Sequence, residues 1–187
     1  RIEFISGQVH QEIKDNDNAY YFYRQSMKHS KTYELSFFSK LNLAGISPVD
    51  EPSSTKKSQK YFKKLLKDRK NTDYKDKIYY QMAERDYKSG DLTSSIHYYK
   101  MSISSNVSDA RQKSYAYLKL ADIYYEHLLD FRMAKAYYDS TINVLPKDEK
   151  RYAVIKNRQE VLSDFVLHLN TISNNDSLIG LVSITPD

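Results

Sequence analysis

The side chains in this chain that could carry acid–base, nucleophilic or metal chemistry are few and scattered. Cysteine is absent, so thiol catalysis, thiolate metal sites and disulfides are excluded together. The five histidines are His10, His29, His97, His127 and His168, and none stands in a recognisable metal-ligand motif with a neighbouring His, Asp or Glu. Acidic pairs such as Glu84 and Asp86 lie two apart, and on a helix that spacing puts them on different faces. There is no glycine-rich phosphate loop and no nucleophile elbow. These observations predict a protein with no catalytic residues, no cofactor site and no metal site. What the chain has in quantity is tyrosine, 18 residues with no tryptophan. Tyrosine offers large contact area with few rotors to freeze, which suits binding.

Several of those tyrosines recur at fixed places. Tyr79, Met82, Ala83, Asp91, Ser95 and Tyr98-Tyr99 correspond to Tyr117, Leu120, Ala121, Asp130, Ala134 and Tyr137-Tyr138. The offset is about 38–39 residues, with two helix-length segments in each period, the signature of a helical solenoid. Glycine and proline number 4 each, which favours long helices over a turn-rich sandwich.

Periodicity places the elements. A first helix is predicted over Ile2–Ile13, with Ile2, Ile5, Val9 and Ile13 as its apolar stripe. A break at residues 15–18 caps a second helix, Ala19–Met27, that turns Ala19, Tyr23 and Ser26 inward. The third runs Tyr33–Ala44 and is ended by Gly45 and Pro48, with a loop over Val49–Ser54. Thr55–Lys67 is a basic helix with Phe62, Leu65 and Leu66 apolar. Asp76–Lys88 and Leu92–Ile103 make one hairpin around Ser89-Gly90-Asp91, with Gly90 as the left-handed stop. Ala110–Glu126 and Met133–Val144 make the next, followed by Pro146. A long final helix over Glu149–Asn170 carries Val154, Ile155, Val161, Leu162, Phe165 and Leu169, and covers the last open face of the array. His10 falls where the repeat calls for a packing aromatic, which predicts a half-buried histidine.

At 187 residues the chain fits one domain or one array of repeats, and it buries a core of real size. The net charge of +5 is mild but uneven: residues 53–88 hold 12 basic and 5 acidic side chains, a local +7. That stretch reads either as a solvated helix face or as a docking strip for an acidic partner. Nucleic acid is disfavoured, because base stacking needs exposed aromatics on a basic groove and these tyrosines recur at core spacing. No run approaches 18 apolar residues and there is no signal peptide. Arg1 opens inside a predicted helix, so the chain reads as the middle of a longer protein.

The segment from Ser114 to Pro146 carries Tyr117, Leu120, Ala121, Tyr124, Ala134, Tyr138 and Pro146, and it resembles the tetratricopeptide repeat at every one of its positions, with one extra residue near Leu128-Leu129. Weaker copies keep Gly7, Ala19 and Tyr23; Leu43, Ala44, Ser58 and Phe62; and Tyr79, Met82, Ala83, Ser95 and Tyr99. The last of these has Asp86 where a tyrosine is expected and Val107 in place of proline. The predicted fold is therefore all-α, a tetratricopeptide-type helical-hairpin solenoid of about four repeats plus a long C-terminal capping helix. It occupies residues 1–171, with residues 172–187 as a tail or the start of a following element.

A closer resemblance rests on longer strings: RIEFISGQVHQEIKDNDNAYYFYRQSM, YELSFFSKLNLAGI, YKDKIYYQMAERDYKSGDL, AYLKLADIYYEHLLDFRMAKAYYDSTINVLPKD and RQEVLSDFVLHLNTI, in that order. AKAYYDST, LPKD and HLNTI followed by DSL at 176–178 are the most specific pieces. Together they resemble the tetratricopeptide part of the SprE/PorW lipoproteins of Bacteroidetes. The resemblance implies a periplasmic, outer-membrane-anchored lipoprotein of the type IX secretion and gliding machinery. Its partners would be other proteins of that machinery, and its membrane attachment an anchor outside this chain. It implies no small-molecule substrate.

In tetratricopeptide architecture the first helix of each pair lines the concave side. That places Lys77, Tyr80, Glu84, Tyr87 and Lys88 of one repeat, and Tyr115, Leu118, Asp122, Tyr125 and Glu126 of the next, as candidate partner-binding residues. They could hold an extended segment or a helix of a partner, as a tyrosine-lined surface with mixed charge; the alternative is that several of these tyrosines pack between repeats. No Lys/Asn arrangement signals a carboxylate clamp.

Overall fold

Every regular element among the described residues is helical. The structure, a computed structural model, describes residues 1–46, 52–105 and 108–182. Among these it has nine α-helices: α1 Ile2–Glu12, α2 Asn16–His29, α3 Tyr33–Ile46, α4 Pro52–Lys67, α5 Lys75–Lys88, α6 Leu92–Ser105, α7 Ala110–Glu126, α8 Phe131–Val144 and α9 Tyr152–Val182. A 3-10 helix, Arg69–Tyr74, joins α4 to α5. The predicted stop at Pro48, the residue Val107 and the end of the tail, 183–187, lie outside the described residues.

The chain divides into two compact units, Arg1–Val107 and Ser108–Asp187. In the first, α1 pairs with α2, α3 with α4, and α5 with α6. Neighbouring hairpins meet through α2 and α3, through α4 and α5, and along the first helices α1, α3 and α5. This is the stacking of a helical-hairpin solenoid. In the second unit α7 and α8 form a hairpin and α9 packs on α8.

The turns share one local chemistry. Asp15, Asp91, Asp109 and Asp130 each accept a hydrogen bond from the amide three residues on, at 3.2, 2.9, 3.0 and 3.0 Å. An N-cap of this kind satisfies an amide that the helix leaves unpaired. Three of the four follow a residue with positive φ: Lys14 at 61°, Gly90 at 81° and Leu129 at 50°. The same left-handed step thus closes the α1/α2, α5/α6 and α7/α8 hairpins, with glycine at only one of them. Leu129 is also where the fourth repeat carries its extra residue.

The core is a frame written four times. On the second helix of each hairpin a small residue precedes an aromatic by four: Ala19 and Tyr23, Ser58 and Phe62, Ser95 and Tyr99, Ala134 and Tyr138. All four aromatics are 0% exposed. Three residues further on, Ser26, Leu65, Ser102 and Thr141 are buried as well. The facing first helices contribute Gly7, Ala44, Ala83 and Ala121, all buried. A small residue on each helix of the pair thereby lets the two helices approach closely beside a ring. In the first unit Phe37, Leu41, Phe62, Leu65, Ile78 and Met82 form the main cluster.

Four expectations are corrected. The isoleucine and valine stripe of α1 faces outward: Ile2, Ile5, Val9 and Ile13 are exposed. The opposite face turns in because it carries Gly7, whose Cα hydrogen is all that fits; a Cβ there would lie 2.7 Å from the Tyr23 ring. The loop expected over Val49–Ser54 gives way to helix at Pro52, an N1 proline needing no amide partner. Gly45 continues α3 to Ile46. The final helix starts at Tyr152 and continues to Val182 instead of ending at Asn170. Within it Ile155, Leu162 and Val166 are buried, while Val154, Val161 and Phe165 are exposed.

Candidate functional site

The second helices present their buried tyrosines to polar groups on the first. Tyr23 Oη donates to Gln11 Oε1 at 2.7 Å, Tyr99 Oη to Glu84 Oε1 at 2.5 Å, and Tyr138 Oη to Asp122 Oδ1 at 2.6 Å. Each bond ties the two helices of one hairpin and satisfies a hydroxyl that would otherwise be buried without a partner. Burial pushes the Tyr23 hydroxyl up to about 12, and it raises Tyr99 and Tyr138 as well. In the remaining hairpin, α3/α4, Phe62 takes the tyrosine's place and removes the need for an acceptor.

These bonds decide what the predicted partner-binding residues do. On α5, Glu84 is committed to Tyr99, and the Tyr80 ring meets the Tyr99 ring edge-on at 5.5 Å. Tyr80, Glu84 and Tyr87 are half-buried. Lys77 sits 3.4 Å from the buried carboxylate of Asp76. Lys88 is exposed at the end of the helix.

On α7 the final helix covers much of the predicted face. Leu118 is buried in a cluster with Ala121, Tyr138, Leu145, Ile155, Leu162 and Val166, so it is a packing residue. The Asp122 carboxylate lies 3.5 Å from Arg158 of α9, and Arg158 also donates to Tyr138 Oη at 3.2 Å. Burial raises the Asp122 carboxyl while its bond from Tyr138 opposes the shift. Tyr115 Oη donates to Glu149 at 3.3 Å, and Arg111 pairs with the same carboxylate at 3.3 Å. Tyr125 and Glu126 are the exposed members of the set. Tyr125 lines an open cavity of about 470 Å³ with Phe131, Arg158, Val161 and Phe165. Arg158 and Glu149 were not foreseen in this role. Both are legible as charged residues near the predicted capping helix, but nothing in their spacing says that they reach α7.

The histidines remain apart. His10 is half-buried, stacked on Phe22 at 5.2 Å and 3.0 Å from Asp15. His29 meets Glu3 at 2.8 Å, and His97 lies edge-on to Tyr98. Among the described residues no group of three or more metal-ligating side chains converges, and no helix is long and apolar enough to cross a membrane.

No protein-family model matches the chain, and no curated protein matches it.

Proposed function

We propose that this protein is a non-enzymatic protein–protein interaction scaffold of tetratricopeptide type. We place it with the periplasmic, outer-membrane-associated components of the type IX secretion and gliding machinery. The observation that carries the scaffold reading is the frame of small residue and aromatic, repeated four times with a fully buried ring each time. Such a frame is built for stacking hairpins and for presenting side chains on their faces. The assignment to the secretion machinery rests on the resemblance of residues 1–27, 33–46, 74–92, 116–148 and 158–172 to the SprE/PorW lipoproteins, and so does the expected anchor outside the chain. A generic peptide-binding adaptor is the second reading, favoured by the aromatic cavity beside Tyr125 and Phe165, which suits an inserted side chain.

A crosslinked pull-down of the full-length tagged protein from cell envelopes, read by mass spectrometry, separates the two. Recovery of translocon or periplasmic ring components is expected. Recovery of unrelated soluble proteins alone, with the bait in the cytosol, overturns the secretion assignment.

A further inference from the structure

From residue 57 on, helix α4 buries one face and gives most of the other to lysine, with Gln59 exposed beside it. Ser58, Phe62 and Leu65 are buried, and Tyr61 and Leu66 are half-buried against α3 and α5. Lys57, Lys60, Lys63, Lys64 and Lys67 are exposed. A step of 100° per residue sets these five ammonium groups within an arc of about 120°, in a file about 15 Å long. Arg69 and Lys70 extend the file into the 3-10 helix, both exposed. From residue 57 to residue 70 there are seven cations and one carboxylate, Asp68, and that carboxylate caps the Lys70 amide at 3.1 Å.

Such a file costs the helix stability, since like charges three and four apart repel. Other helices of the chain avoid the cost: Lys135 pairs with Asp139 at 2.6 Å, and Lys156 with Glu160 at 3.5 Å. None of the five α4 lysines forms an ion pair with a described residue. Among the described residues nothing neutralises the file, and its charge is complementary to an acidic partner.

We propose that the lysine face of α4 docks an acidic segment of a partner protein, a run of Asp and Glu about ten residues long if helical. The proposal deepens the scaffold reading and rests on it. The chemistry of the face selects this partner over two others. No large apolar side chain stands exposed among the lysines, so there is no wedge to enter a lipid surface. The aromatics of α4, Tyr61 and Phe62, pack toward the core and leave no exposed ring among the lysines for bases to stack on, and the exposed Tyr33 is faced by Lys70 at 5.8 Å and bonded to Asn71. Lysine also presents point charges instead of the bidentate fork that arginine uses for phosphate.

The test uses the whole chain and a fluorescent Glu/Asp-rich peptide, read by anisotropy at about 50 mM and about 300 mM salt. Binding is expected at low salt and is lost at high salt. The triple variant Lys60→Gln, Lys64→Gln, Lys67→Gln should weaken it about tenfold. A control with Lys113→Gln, Lys147→Gln and Lys150→Gln should change it less than twofold, as charges off the face contribute little. Absence of binding at low salt, or equal binding by the triple variant, overturns the proposal. So does tighter binding of a single-stranded DNA oligonucleotide or of phosphatidylglycerol vesicles, which would assign the face to nucleic acid or lipid. Partner proteins captured equally by the triple variant in the envelope pull-down leave the scaffold reading standing and the α4 face without its role. The substituted lysines are exposed and repel one another, so the variant should keep the parent's circular dichroism and melt no lower than the parent.

Discussion

The distance between helices is decided here by single atoms. Gly7 lies under the Tyr23 ring, where an added Cβ would stand 2.7 Å from two ring carbons. Gly7→Ala gains about 1 kcal/mol of helix propensity and meets an overpacking cost of about 1–3 kcal/mol. The ring is itself fully buried and held through its hydroxyl by Gln11, so it has little room to give way. A net loss of about 1 kcal/mol is expected, read as a fall of about 2–4 °C in melting temperature for a chain of this size; a rise would mean that the hairpin can open at no cost. Asp86 is the second residue with a measurable signature. It stands where the repeat calls for tyrosine, and burial, then the neighbouring Asp91, push its carboxyl up to about 6. A pKa raised in the folded state gives stability that is complete below the unfolded value near 4 and is lost as pH rises through about 6. Asp86→Asn should therefore flatten the decline between pH 4 and 6 and stabilise the protein at pH 7. The gain should be about 1 kcal/mol, less than the full shift implies because the group is only half-buried. Equal pH profiles for the two proteins in urea titrations would rule this out. Both residues were visible in the sequence, Gly7 as the small residue that the first repeat keeps and Asp86 as a carboxylate where the repeat calls for tyrosine. That Gly7 turns an isoleucine-rich helix outward was not, since it depends on where the Tyr23 ring stands.

At the scale of the element, each helix has one committed face, and the sequence pattern identifies that face only where the apolar residues are unambiguous. In α2, α6 and α8 the small residue and the aromatic four places on were expected to face inward, and both are buried in each helix. In α1 and α9 the apolar residues cover two faces. Periodicity alone cannot choose between them, because each face satisfies the same 3.6-residue repeat. In α9 the choice falls on Ile155, Leu162 and Val166, which enter the cluster with Leu118 and Tyr138, while Val161 stays exposed beside Leu162. Leu162→Ala should cost about 2–5 kcal/mol, whereas Val161→Ala should change stability by less than about 0.5 kcal/mol. Chemical denaturation of the two variants separates these outcomes; similar losses in both would mean that α9 is seated on its other face. The same seating takes Leu118 into the core and ties Asp122 to Arg158. A candidate site on the first helix of the last hairpin is thus partly consumed by packing, and Tyr125 and Glu126 remain exposed.

For the molecule as a whole, the sequence by itself determined that the chain is all-α and built of helical hairpins. It did so because the information is local: an aspartate caps each hairpin's second helix in three of the four hairpins, and a small residue stands four before each buried aromatic on a single helix. It also determined the basic character of α4, since lysines on one arc need no tertiary partner to be read. The tertiary structure alone decided the division into two compact units, Arg1–Val107 and Ser108–Asp187. It alone decided which face of α1 and α9 is buried, and which candidate binding residues are held by neighbours. Those outcomes depend on contacts between residues far apart in the chain, such as Asp122 with Arg158 and Tyr115 with Glu149. A repeat pattern records what each hairpin needs within itself; what covers its open face is settled only when the next helix arrives and brings its own side chains.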